Sequence, residues 1–311
     1  MAITLRQLEI FEQVAQCGQV TRASEQLLLS QSAVSMALAE LERFAGAPLF
    51  ERQGRRLLLN DRGRRILPEV HDVLARVHTI EQVLNESVGE PHGTLNVGAS
   101  TTIGNYLLPL IVGEFSRQYP RAKALLQVGN AHQIERAVEN GDVDLGLIEG
   151  PCHITTLDTM PWKADELVII VGKGHPWEHE GIASLKMLED APWIMREKGS
   201  GTREVFEAAM AKQGIRYGVA MELGHTEAIK KGVEAGLGVG CLSRMAVQRE
   251  MDNGWLVEVT SPLDLRRTLI ILTRHNEQQT TLLKAYLGLL EETRNVQQNP
   301  SLAGETAVFG N

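Results

Sequence analysis

The sequence predicts an α/β fold that begins with a winged helix-turn-helix. Three observations lead to this prediction. The first 60 residues contain short helical patterns followed by a hairpin pattern, residues 61–86 contain one uninterrupted helical stripe, and the rest of the chain alternates apolar strands with helices. Since the chain has 311 residues, it is long enough for two or three domains.

Composition places the chain among ordinary globular proteins. Hydrophobic residues make up 43% and charged residues 23%, and no run of 18 apolar residues predicts a membrane span. The N-terminus carries Glu9 and Glu12 within an amphipathic pattern, unlike a signal peptide. Cys17, Cys152 and Cys241 are far apart and odd in number, which argues against a disulfide framework or a cysteine-rich metal site. We therefore expect a cytoplasmic protein without a membrane partner.

The first 46 residues predict a helix-turn-helix. After an amphipathic first helix, Thr21 is the predicted N-cap of a short second helix, and Ser30 is that of a third, which ends near Gly46. The apolar residues predicted to face inward on these two helices are Ala23, Leu27, Leu28, Val34, Leu38 and Leu41. Two helices joined by a tight turn, with small polar residues at the start of the second, are typical of this motif.

Residues 48–63 predict a β-hairpin wing that turns at Gln53-Gly54. Although the net charge of the chain is −8, residues 43–65 hold seven arginines against Glu51 and Asp61. The seven are Arg43, Arg52, Arg55, Arg56, Arg62, Arg64 and Arg65. Guanidinium groups suit phosphates and base edges, although an arginine-rich surface can also be merely solvated.

Residues 61–86 predict one long helix. Its apolar stripe has nearly heptad spacing and consists of Ile66, Val70, Val73, Leu74, Val77, Ile80 and Leu84. Such a helix either lies on its own domain or associates with a second copy, and its length without neighbouring core sequence favours self-association. A break rich in glycine and proline at 89–93 then marks a domain boundary.

Beyond this break, short apolar strands alternate with helices, which predicts an α/β domain built on parallel sheets. The predicted strands read GTLNVGA, KALLQVG, VDLGLIEG, ELVIIVG, MELG, GLGVGCLS and TLIILTR. Residues 296–311 form a polar tail.

A motif pattern in the first 63 residues resembles the DNA-binding domain of LysR-type transcriptional regulators. The residues that carry the resemblance are Ala23-Ser24, Leu28, Ser30-Gln31-Ser32-Ala33-Val34-Ser35, Leu41-Glu42, Leu49-Phe50-Glu51-Arg52 and Asn60-Asp61-Arg62-Gly63. The chain from there to about residue 295 resembles the family's effector-binding domain, which has the two-lobed fold of periplasmic binding proteins. Stretches such as APWIMREKGSGTRE and MELGHTEAIK resemble the YeiE-like and CysL-like branch, which is associated with sulfite and sulfur metabolism.

The resemblance implies a domain order and a set of partners. It places a winged helix-turn-helix at 1–60, a linker and dimerisation helix with a hinge at 61–92, and an effector-binding domain at 93–295. Lobe I then comprises 93–162 and 268–295, and lobe II comprises 163–267. The implied partners are double-stranded promoter DNA, a small oxyanion such as sulfite, RNA polymerase and further copies of the chain as a dimer of dimers. No cofactor and no enzymatic activity are expected.

DNA contacts are predicted for the third helix and the wing. The predicted DNA-binding residues are Ser30, Gln31, Ser32, Ser35, Met36, Arg52, Arg55 and Arg56. Those of the helix are expected at base edges, and the arginines at phosphates or in the minor groove. The alternative is an amphipathic helix on a small domain with a solvated charge cluster.

An anion site is predicted where helices begin in each lobe. Unpaired N–H groups at a helix start carry partial positive charge, and small polar residues let an anion approach them. The predicted effector-binding residues are Ser100, Thr101, Thr102, Glu149, Ser200, Gly201, Thr202, His225 and Thr226. For each hydroxyl the alternative is simple helix capping.

Glu149 is unexpected beside an anion because like charges repel. It ends the predicted strand DLGLIEG, where it forms a salt bridge, holds a hinge, or accepts a proton that the ligand carries. A cleft walled by uncharged donors and this one carboxylate favours sulfite, which exchanges its last proton near neutral pH, over fully deprotonated sulfate.

The remaining motifs indicate no other class of protein. Cys152 and His153 share a Gly-Pro-Cys-His loop but have no neighbour at ligand spacing, so neither a redox thiol nor a metal site is predicted. No GxSxG, HExxH or CxxC motif suggests an enzyme. A regulator of another small anion or carboxylate, a redox-thiol sensor and a solute-binding protein are the alternatives, although the last does not account for the N-terminal motif.

Overall fold

The computed structural model describes residues 3–54, 56–85, 90–275 and 279–298, apart from the side chains of 78, 79, 82, 83, 85 and 295–298. The chain divides into two compact units, of which the N-terminal one reaches Asn85. Within the described residues, no helix combines the length and the apolar character that a membrane crossing requires.

The N-terminal unit contains four helices and a two-stranded hairpin. In chain order these are α1 (Leu5–Cys17), α2 (Val20–Gln26), α3 (Gln31–Ala45), β1 (Phe50–Gln53), β2 (Arg56–Leu59) and α4 (Asp61–Asn85). The expected helix-turn-helix, wing and long helix are therefore confirmed. Ser30 caps α3 by accepting the Ala33 N–H at 3.2 Å, and Gly46 ends it in the left-handed conformation.

Two local predictions for α2 are wrong. Its N-cap is Gln19 rather than Thr21, and no side chain caps the helix. Leu28 does not face inward: it is 92% exposed and has a positive φ of 53°. A left-handed residue is required to turn the chain between α2 and α3, and it directs this leucine away from the core. Ala23, Val34, Leu38 and Leu41 are buried as predicted.

The core of this unit joins α1, α2, α3, the wing and the first half of α4. Phe11 and Phe50 pack with ring centroids 5.4 Å apart, and Val70 of α4 is buried in the same cluster. Further along α4, the apolar stripe emerges from this core. Ile80 and Leu84 are 58% and 79% exposed, so the helix continues past the surface that its own domain covers.

The C-terminal unit contains nine strands and nine helices among the described residues. The strands are β3 (Gly93–Ser100), β4 (Ala122–Gly129), β5 (Leu145–Glu149), β6 (Leu157–Gly172), β7 (Pro192–Met195), β8 (Gly218–Glu222), β9 (Val239–Ser243), β10 (Leu256–Val259) and β11 (Arg266–Arg274). The helices are α5 (Thr101–Tyr106), α6 (Leu108–Gln118), α7 (Ala131–Glu139), α8 (Pro176–Glu180), α9 (Leu185–Asp190), α10 (Gly201–Lys212), α11 (Thr226–Glu234), α12 (Arg244–Asp252) and α13 (Thr281–Gln298).

The strands form a mixed sheet rather than the expected parallel one. Their order is β4-β3-β5-β11-β6-β9-β7-β8, with β10 paired to β6. Parallel pairs join β3 to β4 and β5, and β7 to β8 and β9, whereas β11 runs antiparallel to both β5 and β6. The chain leaves one half of the sheet along β6 and returns along β11, so these two neighbouring strands must run in opposite directions.

Separate hydrophobic cores define two lobes. Lobe I buries residues such as Val97, Phe115 and Tyr286, and lobe II buries residues such as Trp193 and Phe206. Strands β6 and β11 belong to both lobes and pair along their length, with a register shift between Leu269 and Ile270. The predicted lobe boundaries at 162/163 and 267/268 lie within these two strands. Residues 86–89 of the predicted hinge and 299–311 of the predicted tail lie outside the described residues.

Candidate functional site

The start of α3 presents polar side chains to solvent. Gln31, Ser32 and Ser35 are exposed, and Met36 is 66% exposed. The Ser30 hydroxyl already has two partners within the protein, because it caps the helix and lies 2.9 Å from the Ser32 hydroxyl. The predicted recognition residues therefore share one accessible helix face, opposite the buried Val34 and Leu38.

The wing brings arginines next to its turn. Gln53 pairs with Arg56 and Arg52 with Leu57 in an antiparallel register, and both arginine side chains are exposed. Two accessible guanidinium groups on a short hairpin suit contact with phosphates. Arg55, predicted with them, lies outside the described residues.

Most of the hydroxyls predicted to form the anion site lie where two helices begin: α5 directly follows β3, and α10 begins after a short loop that follows β7. Ser100 and Ser200 occupy the N-cap positions of these helices, yet neither side chain caps its helix. Thr101 instead donates to the Gly129 carbonyl at 3.1 Å. Simple capping therefore does not explain these serines, which are both almost completely buried.

Glu149 connects the two lobes at this point. It ends β5 in lobe I, it is 2% exposed, and its Oε1 accepts from Thr102 of lobe I at 3.2 Å and from Thr202 of lobe II at 3.5 Å. A carboxylate held by hydroxyls from both lobes is a contact that opening of the lobes would break. Of the roles that the sequence left open, the structure shows the salt bridge, because Arg267 Nη1 lies 3.9 Å from Glu149 Oε1.

Gly201 allows the lobes to approach so closely. A Cβ built on this residue would lie 2.0 Å from the main-chain oxygen of Glu149 and 2.9 Å from its Cγ. Any other residue would push the start of α10 away from the end of β5. The glycine is therefore required for the close approach of backbone to backbone.

Arg196, which the sequence analysis did not single out, lies at the same place. It follows β7 in lobe II, is 2% exposed, and forms a two-point ion pair with Glu197 at 2.8 and 2.9 Å. Its Nη2 also donates to the Thr101 hydroxyl of lobe I at 3.3 Å. This guanidinium stands in the REKGSG stretch that precedes α10, but only the fold brings it to Thr101.

Arg267 of β11 is a second buried cation at the site. Its Nη1 donates to the Thr202 hydroxyl at 3.0 Å and lies 3.9 Å from Glu149 Oε1, and its Nε donates to Asp165 at 2.7 Å. The prediction of a site walled by uncharged donors and one carboxylate is therefore wrong. Both arginines come from lobe II positions far along the chain from Glu149, which is why spacing in the sequence did not reveal them.

Several polar atoms at this site have no hydrogen-bond partner among the described residues, although they are buried. They are Ser100 Oγ, Ser200 Oγ, Thr226 Oγ1, Glu149 Oε2 and Arg196 Nη1. Leaving such a group unpaired costs about 1–3 kcal/mol, and more when it is charged. Ser100, Ser200 and Thr226 lie at the three predicted helix starts, and buried unpaired groups of this kind require a physical explanation.

The third helix start predicted to contribute to the anion site is that of α11. His225 is its N-cap and is exposed, whereas Thr226 is buried. Tyr106 at the end of α5 donates to Glu227 at 3.0 Å, so the start of this lobe II helix contacts lobe I. The structure thus brings all three predicted helix starts to the boundary between the lobes.

The loop after β5 has more partners than the sequence indicated. His153 contacts Glu135 and Glu204, and the ring of His132 lies 4.8 Å away; the expectation that His153 lacks neighbours is wrong. Hydrogen bonding to Glu135, with a further contribution from Glu204, raises the pKa of His153. Cys152 is a free thiol whose pKa is raised by burial, so it does not favour the reactive thiolate.

Two protein families match the chain. "Bacterial regulatory helix-turn-helix protein, lysR family" matches residues 5–64, and "LysR substrate binding domain" matches residues 89–295. The HTH-type transcriptional regulator YeiE of Escherichia coli (strain K12) is 42% identical over 288 residues, which cover 92% of this chain and 97% of YeiE.

Solved structures show the same folds. The regulatory domain of CcmR from Synechocystis PCC6803, solved in complex with 2-PG, has a TM-score of 0.61 at 28% identity and covers 65% of this chain and 98% of that chain. Full-length CbnR, complexed with its target DNA, has a TM-score of 0.66 at 18% identity and covers 93% of this chain and 99% of CbnR. The chain belongs to the LysR family of DNA-binding transcriptional regulators, with a helix-turn-helix domain followed by an effector-binding domain.

Proposed function

We propose that this regulator senses a small oxyanion of the sulfite class at the boundary between lobes I and II and thereby controls genes of sulfur metabolism. The observation that carries the proposal is the set of buried polar atoms without a partner around Glu149 and Arg196. They offer both a cationic donor and an anionic acceptor, and a proton-bearing oxyanion can satisfy the two together.

The donors support binding of an anion. Arg196 Nη1 is a buried guanidinium donor, and α10 and α11 add the partial positive charge of their N-termini. The free hydroxyls of Ser100, Ser200 and Thr226 supply further hydrogen bonds. A small oxyanion that contacts them would relieve the cost of several unpaired groups at once.

Glu149 supports an anion that still carries a proton. Its Oε1 already accepts from two threonines, whereas Oε2 is buried without a donor. Hydrogensulfite can donate to Oε2 as a charge-assisted hydrogen bond, but sulfate at neutral pH brings only another acceptor. The same carboxylate would thus favour sulfite and repel sulfate, although Arg267, whose Nη1 lies 3.9 Å from Oε1, reduces the repulsion.

The family supports the rest of the proposal. The related proteins are regulators rather than enzymes, and CbnR was solved on its target DNA. We propose that this chain likewise works in the cytoplasm as a dimer of dimers on promoter DNA, where it influences RNA polymerase. The association of the YeiE-like branch with sulfite agrees with the chemistry of the site.

Calorimetric titration of the full chain with sulfite and with sulfate tests the proposal. Sulfite should bind to the wild type at least tenfold more tightly than sulfate. Arg196→Gln should weaken the binding of both anions. Glu149→Gln should reduce the difference between the two affinities, because the amide can donate to either anion. Arg216→Gln, an exposed lobe II control, should bind both anions as the wild type does. Equal affinity of the wild type for the two anions would refute the assignment.

One observation favours a second candidate. The regulatory domain of CcmR, at 28% identity, is solved in complex with 2-PG. If the same site of this chain takes a larger anion, 2-PG should bind more tightly than sulfite and should lose affinity in Arg196→Gln. The same series of titrations therefore separates the two ligands.

A further inference from the structure

We propose that His132, His153 and Glu204 bind one divalent transition-metal ion of the zinc type and that this ion links lobe I to lobe II. The site is distinct from the proposed oxyanion site and does not depend on it. The sequence did not predict this site, because the three residues are separated by 21 and 51 positions and neither interval is typical of a metal motif.

The three side chains converge from three elements. His132 lies in the first turn of α7, His153 lies in the loop after β5, and Glu204 lies in the first turn of α10. One ligand atom from each lies within 4.8 Å of the other two. The His153 Nε2 and Glu204 Oε1 atoms are 2.9 Å apart, and the two imidazole rings meet edge to face.

These distances suit a small ion after a slight adjustment. Zinc binds imidazole nitrogen and carboxylate oxygen at about 2.0–2.2 Å, so tetrahedral ligand atoms lie roughly 3.3 Å from each other. His132 and His153 are exposed and Glu204 is only half-buried, so their side chains can move by the required ångström without disturbing a core. The same exposure gives an ion access from solvent.

Glu135 is a buried carboxylate that contacts the side of His153 opposite to Glu204. It is 2% exposed, and its Oε1 lies 3.2 Å from His153 Nδ1 while its Oε2 accepts the His153 main-chain N–H at 3.3 Å. A protonated Nδ1 that donates to this carboxylate leaves the Nε2 lone pair for an ion. Metal-bound histidines generally donate their other ring N–H to a carboxylate, a main-chain carbonyl or water, which fixes the ring and raises its basicity.

The donor set selects the class of ion. Two imidazoles and one carboxylate suit zinc, nickel or cobalt, whereas magnesium and calcium prefer oxygen ligands alone. Three protein ligands leave a position for water or for an oxygen of a second molecule.

Ion binding would stabilise the closed arrangement of the lobes. Two ligands come from lobe I and one from lobe II, and the His132 N–H donates to the Gly199 carbonyl of lobe II at 3.2 Å. Gly199 directly precedes Ser200 and Gly201, which lie at the proposed oxyanion site. An ion that binds only when the lobes are closed must, by linkage, favour any other ligand of the closed form.

Titration of the metal-free full chain with Co²⁺ provides the test, because its visible absorption reports coordination number. We expect one Co²⁺ ion per chain with the intense absorption of four- or five-coordinate cobalt, and this absorption should disappear when Zn²⁺ displaces the Co²⁺. His132→Ala, His153→Ala and Glu204→Ala should each weaken binding at least tenfold, and Glu135→Gln should weaken it by about 10–100-fold. His179→Ala, which removes an exposed histidine of lobe II that is outside the cluster, should bind as wild type.

The proposal would be overturned if the wild type gave only the weak spectrum of six-coordinate cobalt. It would equally be overturned if His132→Ala and His153→Ala kept the wild-type affinity. Since the three ligands are on the surface, circular dichroism should show folded variants; the wild-type spectrum decides the question even if one variant does not fold.

Discussion

Serine begins several helices of this chain, but the hydroxyl does not have the same role in each. Ser30 and Ser184 accept a main-chain N–H of their own helices, as capping residues do. Ser100 and Ser200 do not, and both hydroxyls are buried without a partner among the described residues. This contrast within one chain separates the capping serines from the two whose buried hydroxyls are unpaired.

Replacement of Gly201 tests the close approach of the lobes. We expect Gly201→Ala to destabilise the effector-binding domain by about 1–3 kcal/mol, since the new Cβ collides with the Glu149 main chain. It should also abolish anion binding, because α10 must move. Urea unfolding and calorimetry measure the two effects.

Gly113→Ala is the matched control for that substitution. Gly113 is a helical glycine of α6 with nothing within 4 Å of a built Cβ, so alanine should stabilise the helix by about 0.5–1 kcal/mol. If both variants had the same stability as the wild type, the contact between Gly201 and Glu149 would not exist in solution.

His71 of the N-terminal unit predicts a pH dependence. Burial lowers its pKa, but the hydrogen bond and charge of Glu12, 2.8 Å away, outweigh burial, so the pKa is raised. A raised folded-state pKa contributes stability that is complete below the unfolded value of about 6.5 and is lost as pH rises through the folded pKa.

We therefore expect the wild type to be more stable than His71→Gln at about pH 6 and to lose this advantage towards about pH 8. Urea unfolding of both proteins across this range measures the difference. Glu12→Gln should remove most of the dependence. An advantage that grew with pH would contradict the assignment of a charged His71.

At the residue scale, local chemistry could be read from the sequence, whereas long-range partners could not. Helix starts at Ser100, Ser200 and Thr226 follow from patterns within a few residues. Arg267 reaches Glu149 only because β11 returns beside β5, and His132 reaches Glu204 only across the lobes. No spacing rule encodes such contacts.

At the scale of elements, α4 has two different halves. The first contributes Val70 to the core of its own domain, and the second exposes Ile80 and Leu84. A stripe of this kind is covered when two long helices pack against each other. The structure therefore shows intrachain packing for the first half, and self-association of the second half stays a prediction.

The exposed half of α4 should mediate self-association. Ile80→Asp places a charge where a second copy would pack, and it should weaken dimerisation of the full chain at least tenfold. The neighbouring exposed position provides a control, since Glu81→Gln should not change the assembly. Sedimentation equilibrium measures both, and an unaltered dimer in the first variant would assign the interface elsewhere.

The helix α3 and the wing should contribute differently to DNA binding. Arg52→Ala or Arg56→Ala should weaken binding to all sequences and lower the salt slope by about 1, because each removes a phosphate contact. Gln31→Ala should instead cost about 1–3 kcal/mol of discrimination between operator and random DNA.

Arg6→Ala is the control for these variants, since this guanidinium of α1 pairs with Glu9 at 2.6 Å. Fluorescence anisotropy over a range of salt concentrations separates the two effects. An unchanged salt slope in both wing variants would remove the wing from the DNA interface.

Two strands that sequence reasoning missed are very short. Strands β7 and β10 have four residues each, too few for a clear period. The antiparallel course of β11 was also missed, because direction depends on where a strand returns in the sheet. Long patterns such as α4 and the strands β3 and β5 were predicted correctly.

At the scale of the whole molecule, a regulator needs two arrangements that a ligand can distinguish. Lobes I and II share β6 and β11 and also meet at polar contacts around Glu149, Arg196 and the helix starts. A ligand that satisfies the unpaired groups only when the lobes are closed shifts the population toward that arrangement. The energy available for regulation is the difference in its affinity for the two arrangements.

The most direct test of this account is the affinity of the full chain for its operator with and without saturating sulfite. We expect sulfite to change the operator Kd by about 5–150-fold, as is usual for coupled sites, and sulfate to leave it unchanged. Arg196→Gln should bind the operator as the unliganded wild type does and should not respond. An operator Kd that is identical with and without sulfite would contradict the account.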